Sequence, residues 1–203
     1  MCEPERTYWD NGQLKEARWL VDGRHHAEGQ PAFQACDQFG RVRQESWFFE
    51  GVNHREDGPA VVEWDVDGNV QYERWFHHGA EHRTDGPSCR QWFRGGHLRY
   101  LMHESWRLNG VLHRPDGPAV QEWNAHEELM LQSFYIHGQL HRLDGPAQEK
   151  WIQSKTSRYQ CLEGWYQDGL FHRPDGPAFQ EFDETGDPFN RKWYLRGEWQ
   201  NLS

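Results

Sequence analysis

Five copies of one hexapeptide, His-Arg-x-Asp-Gly-Pro, hold most of the side chains that could do chemistry. They are His54–Pro59, His82–Pro87, His113–Pro118, His141–Pro146 and His172–Pro177. Histidine with aspartate makes a workable acid–base pair, and arginine offers a forked donor set to carboxylate or phosphate. The number of copies argues against catalysis. An enzyme assembles one site, and no copy is set apart by an added nucleophile, so no catalytic residue is expected. Successive histidines could approach across copies. No HxH or HxxxH pattern with a nearby cysteine accompanies them, so neither a metal nor another cofactor is expected.

Two readings of the loops remain. In the structural one, Asp57, Asp85, Asp116, Asp144 and Asp175 accept backbone N–H bonds in a turn, and the following glycine allows φ > 0. Each arginine then pairs with an aspartate of the same or the next copy. His54, His82, His113, His141 and His172 donate to neighbouring carbonyls as a ladder. In the other reading, Arg83, Arg114, Arg142 and Arg173 with the nearby aromatics hold several planar anions such as nucleotides. Stacking would contribute about 1–3 kcal/mol per base. The structural reading is preferred, because the loops recur at a fixed period.

That period organises the whole chain. A glycine recurs at 23, 51, 79, 110, 138, 169 and 197, in steps of 28, 28, 31, 28, 31 and 28 residues. Four residues before each stands Trp19, Trp47, Trp75, Trp106, Phe134, Trp165 or Trp193. Five residues past each proline stands Cys36, Trp64, Trp92, Trp123, Trp151 or Phe182. Each unit reads as two strands. One runs from the proline to the second aromatic, since proline is tolerated at a strand's first residue. A turn such as Asp67-Gly68, Asn11-Gly12 or Thr185-Gly186 follows, and the second strand carries Trp75-Phe76 or its equivalent. Neighbours on a strand point to opposite faces. Either the ribbon twists so that repeats cover one another, or one aromatic face is left for a partner.

The fold class expected is all-β: an elongated array of antiparallel β-hairpin repeats, fourteen strands in a meander, forming one domain over 1–203. Its units are 1–23 as a cap, 24–51, 52–79, 80–110, 111–138, 139–169 and 170–203 with a cap. Mean hydropathy is low, yet twelve Trp, eleven Phe and seven Tyr supply large area, so a core of few bulky residues is expected. The formal charge of -10 opposes general affinity for nucleic acid. No run of 18 apolar residues marks a membrane span, and the start lacks the pattern of a signal peptide. Cys2, Cys36, Cys89 and Cys161 form no CxxC pair, which points to reduced thiols and a cytoplasmic setting.

The segment Tyr8-Trp9-Asp10-Asn11-Gly12-Gln13-Leu14-Lys15-Glu16 resembles a MORN repeat variant. The Trp-Tyr-x-x-Gly-x-x-His-Arg-x-Asp-Gly-Pro-Ala blocks are similar to repeats in phage, giant-virus and bacterial proteins. The resemblance implies β-hairpin repeats, scaffold-like or binding roles and no shared catalytic residue. It also implies a viral or bacterial source, with host cytoplasm as the setting if viral, and anti-defence inhibition of a host protein as one role. The Trp-rich registers and 31-residue units depart from the MORN pattern, so lipid binding is not carried over.

Two units are longer. The interval between ladder aromatics is 14 residues in Trp92–Trp106 and Trp151–Trp165, against 11 elsewhere. Arg94, His97 and Arg99 lie in one long hairpin, Lys155 and Arg158 in the other. In an acidic chain these basic fingers are a candidate contact for a protein partner. A nucleotide-like ligand is the alternative partner, and solvated tips that merely tolerate insertion are the bland reading.

Overall fold

The computed structural model describes residues 3–155 and 157–201. Among them there is no helix, and so none long and apolar enough to cross a membrane. Fourteen strands form one open antiparallel sheet, and seven two-stranded sheets accompany it. In the large sheet the strands follow chain order: Glu5–Tyr8, Leu14–Arg18, Phe33–Cys36, Val42–Ser46, Val61–Trp64, Val70–Arg74, Cys89–Gly95, Leu98–Ser105, Val120–Trp123, Leu129–Ser133, Gln148–Gln153, Arg158–Gly164, Phe179–Phe182 and Pro188–Lys192. The hairpin meander expected from the period is therefore present. The chain gathers into two compact units, Met1–Leu101 with Leu108–Gly110, and Met102–Arg107 with Val111–Ser203.

In the first unit, Val61–Trp64 pairs with Val70–Arg74 so that Val61 faces Arg74 and Trp64 faces Val70. The turn between them is held by a side chain. Asp65 Oδ1 accepts the N–H groups of Asp67 and Asn69, at 2.9 and 3.0 Å, and Gly68 enters the left-handed region at φ 88°. An Asx turn closed by such a residue adds a bulge, and the register shifts between Val70 and Tyr72. The second unit repeats this with Asn124 Oδ1 accepting from His126 and Glu128, and Glu127 at φ 59°.

The short hairpins turn differently. Phe49 pairs with Val52, leaving Glu50 (φ 50°) and Gly51 (φ 85°) as a two-residue turn. Both positive φ values define type I′, whose twist matches the flanking strands. The same pair of positions is positive at His78-Gly79 in the first unit and at His137-Gly138 and Asp168-Gly169 in the second. The recurring glycine therefore closes this turn.

The expectation of a bulky core is corrected. The fully buried positions are Ala32, Ala60, Ser88, Ala119, Ala147 and Ala178, each 0% exposed, with Ser46, Ser105 and Ser133 almost as buried. Each follows a loop proline or precedes a ladder aromatic. There the backbones approach closely: Trp47 N–H donates to Ala60 O at 2.7 Å, and Trp165 N–H to Ala178 O at 2.7 Å. The side chains at these buried positions are no larger than serine. The ladder aromatics are half-buried instead and lie against neighbours. Phe48 stacks on His25 at 4.9 Å, and Tyr194 on Phe171 at 5.2 Å.

Candidate functional site

Within each loop the arginine folds back over the ladder aromatic eight residues before it. The Arg55 guanidinium carbon stands 4.0 Å from the Trp47 ring centre and that of Arg83 3.9 Å from Trp75. In the second unit Arg114 lies 3.9 Å from Trp106, Arg142 4.2 Å from Phe134 and Arg173 4.0 Å from Trp165. Nε–H donates to the aspartate two residues on, as from Arg83 to Asp85 at 2.8 Å and from Arg142 to Asp144 at 2.9 Å. Nη1–H donates to the proline carbonyl, as from Arg114 to Pro118 O at 3.2 Å. The pairing is thus within one loop. Hydrogen bonds from Arg83 and Arg142 hold the Asp85 and Asp144 carboxyls below their ordinary range.

The glycine of the loop serves a purpose other than the one expected. Gly58, Gly86, Gly117, Gly145 and Gly176 are not in the left-handed region. A Cβ on Gly58 would meet Arg55 Cζ at 2.7 Å, and one on Gly145 would meet Arg142 Cζ at 2.8 Å. Glycine is needed because the guanidinium lies between an aromatic ring and the loop backbone.

The histidine ladder exists, with its polarity reversed. His26 and His54 Nδ1 accept the N–H groups of Glu50 and His78, at 3.2 and 3.1 Å. His82 accepts from Asn109 at 3.1 Å. In the second unit His113, His141 and His172 accept from His137, Asp168 and Arg196, at 3.1, 3.2 and 3.0 Å. Each donor is the first residue of the next type I′ turn. Where Nδ1 accepts, the ring proton sits on Nε2; at His82 and His141 the same Nδ1 also faces a side-chain oxygen, Asn109 Oδ1 and Asp168 Oδ1, each at 2.9 Å. The ladder carries backbone bonds too, as from Gly79 N–H to Asn53 O at 2.9 Å and from Arg142 N–H to Tyr166 O at 3.1 Å. Histidine and aspartate of one loop thus serve different partners, and no acid–base pair forms from them.

Between consecutive loops lies a cleft that recurs. One, of about 490 Å³, has Arg55–Asp57 and His82–Asp85 as walls and Trp75, Phe76 and His77 as floor. Its counterpart in the second unit, about 500 Å³, has Arg114–Gly117 and His141–Asp144 as walls and Phe134 and Ile136 as floor. The rims are acidic. The Asp57, Asp85, Asp116 and Asp144 side chains are 90, 77, 84 and 84% exposed, while Arg55, Arg83, Arg114 and Arg142 are only 17–27% exposed.

The residues of the long hairpins are mostly tied to the sheet. Arg94 pairs with Asp67 and, at 3.4 Å, with Asp65. Arg99 donates to Val70 O at 2.7 Å and lies over Trp92. Arg158 donates to Leu129 O at 3.0 Å and lies over Trp151. His97 and Lys155 are exposed. No disulfide joins Cys36, Cys89 and Cys161, and Cys2 lies outside the described residues.

Two groups were not anticipated. Glu81, 7% exposed, takes Arg74 Nη2–H at 2.7 Å and the Ser88 hydroxyl at 2.7 Å. The signal lies in joint departures at one junction: Arg74 where Ser46 and Ser133 stand, Ser88 where alanine stands. His54, His77 and His78 also cluster, each offering a ring nitrogen within 4.8 Å of the others. The pair His77-His78 and the spacing His78-x-x-x-His82 were the available signal.

Fold and site together define an all-β protein of hairpin repeats with a recurring cleft. No protein-family model matches the chain, and no curated protein matches it.

Proposed function

We propose that the chain is a non-enzymatic binding scaffold that holds a protein partner along the clefts between successive loops. The observation that carries this is the recurrence of one cleft between successive loops, lined by ladder aromatics and edged by exposed carboxylates. Each guanidinium already serves a ring, a carboxylate and a carbonyl, so what faces outward is negative charge above apolar surface. The fitting partner is an extended segment with Lys or Arg at the rim and an apolar side chain below. The resemblance of the units to MORN-like and phage repeats supports the same class of role, including inhibition of a host protein. Sequestering nucleotides fits less well, because an anion would have to displace the aspartates from the arginines.

The test is capture from host lysate with mass spectrometry, comparing wild type with Asp57→Asn, Asp85→Asn, Asp116→Asn and Asp144→Asn combined. Asparagine keeps the acceptor for each arginine and removes the rim charge. The expected result is one recurrent prey, lost in the variant. Equal capture by both proteins would remove the clefts as the docking surface. A melting temperature raised by nucleotides would favour sequestration instead.

A further inference from the structure

We propose that His54, His77 and His78 form a binding site for one divalent transition-metal ion such as zinc, nickel or copper. His54 comes from a loop, His77 ends the strand Phe76–His77, and His78 opens the next type I′ turn at φ 46°. The rings are already gathered. Centres lie 4.3 Å apart for His54 and His78, 5.1 Å for His54 and His77, and 4.4 Å for His77 and His78. Imidazole nitrogen is the donor that suits these ions. Around tetrahedral zinc, with bonds of about 2.0–2.1 Å, ligand nitrogens stand roughly 3.3 Å apart. From a present separation within 4.8 Å, rotation of the two exposed side chains closes the set.

The His54 ring already presents a lone pair at Nδ1. That lone pair accepts the His78 N–H at 3.1 Å, and the ion would displace this one hydrogen bond. Three ligands leave a position open for water or a fourth donor, and the His82 ring is 5.8 Å from His77. Since His54 lies in the loop that opens the unit 52–79 and His77 and His78 in the turn that closes it, the ion would staple the two ends of that unit together.

The molecule holds its own control. His113 and His137 stand in the same relation, ring centres 4.6 Å apart, with Ile136 where His77 would be. Two imidazoles do not make the set.

The test uses tag-free, chelator-treated protein titrated with zinc or nickel chloride by calorimetry, with thermal melts alongside. His77→Leu with His78→Asn rewrites this turn as Leu108-Asn109, which the next repeat uses, so the fold is kept. Wild type is expected to bind one ion and melt higher with it. The double variant is expected to bind at least about tenfold more weakly, roughly 1.4 kcal/mol, and show no shift. His137→Phe is expected to leave binding unchanged. Equal binding by wild type and the double variant, or loss of binding in His137→Phe, would overturn the assignment.

Discussion

The Arg114 guanidinium carbon lies 3.9 Å from the Trp106 ring centre, while a Cβ on Gly117 would meet that same carbon at 2.9 Å. The arginine is thus held between a ring and a backbone, with its Nε–H on Asp116 and an Nη1–H on Pro118 O. The contact with the ring contributes about 0.5–2 kcal/mol, more as water is excluded. The ion pair adds little, because Asp116 is exposed.

Gly117→Ala is therefore expected to expel the guanidinium and cost about 1–2 kcal/mol through the lost ring contact and hydrogen bonds. The same change in an Arg114→Ala background is expected to cost almost nothing, since no guanidinium remains to be expelled. Chemical denaturation of the four proteins gives the coupling directly. Equal costs in both backgrounds would show that glycine is needed there for another reason.

The histidine ladder makes a sharper distinction between acceptor and ring. Arg196 N–H donates to His172 Nδ1 at 3.0 Å. His172→Phe keeps a ring and removes the acceptor, with an expected loss of about 1 kcal/mol. His172→Asn offers an oxygen near the former Nδ1 and is expected to recover part of it. Amide exchange at Arg196 should quicken in the first variant and less in the second. If the two variants behave alike, the acceptor is not what the position supplies.

Much of this was legible in the sequence, and the rest was hidden for physical reasons. Periodicity gave the strands, their order and the loops, because every copy needs the same joint. It could not tell Gly51 from Gly58: one takes φ 85° in a type I′ turn and the other makes room for Arg55. Spacing reports that a residue recurs, and contact reports why. Ala60 carries no signal of its own in the sequence, because its place is fixed by burial and by a backbone bond to Trp47 and not by side-chain chemistry. A neutral imidazole can donate or accept, and only the position of the next turn decides which part each histidine plays.

Acid should weaken the loops in a defined direction. Hydrogen bonds from Arg83 and Arg142 place the folded-state values of Asp85 and Asp144 below the ordinary 3.8. The unfolded chain then binds protons more readily than the folded one in that range. The contribution is present in full above the unfolded value and is lost as pH falls through the depressed folded values. Urea midpoints measured from pH 6 down past the carboxylate range should fall more steeply for wild type than for Arg83→Gln with Arg142→Gln. Parallel curves would mean that these pairs do not govern the acid limb.

The junction of the units 52–79 and 80–110 tests whether a buried ion pair stabilises this fold or is merely accommodated by it. Glu81 is 7% exposed and takes a 2.7 Å hydrogen bond from Arg74, whose own side chain is 37% exposed. Removing one partner of a fully buried pair costs about 3–5 kcal/mol because a charge is stranded. With Arg74 partly in solvent, Arg74→Ser is expected to cost less, about 2 kcal/mol. Replacing the whole group is a different matter. Arg74→Ser, Glu81→Leu and Ser88→Ala together install what Ser133, Leu140 and Ala147 supply in another repeat. No charge is then left buried, and apolar replacement of such pairs is often neutral or stabilising. The triple variant is expected to melt at or above the wild type, well above the single variant. A triple variant as weak as Arg74→Ser alone would show that the pair itself, and not the avoidance of a stranded carboxylate, holds this junction together.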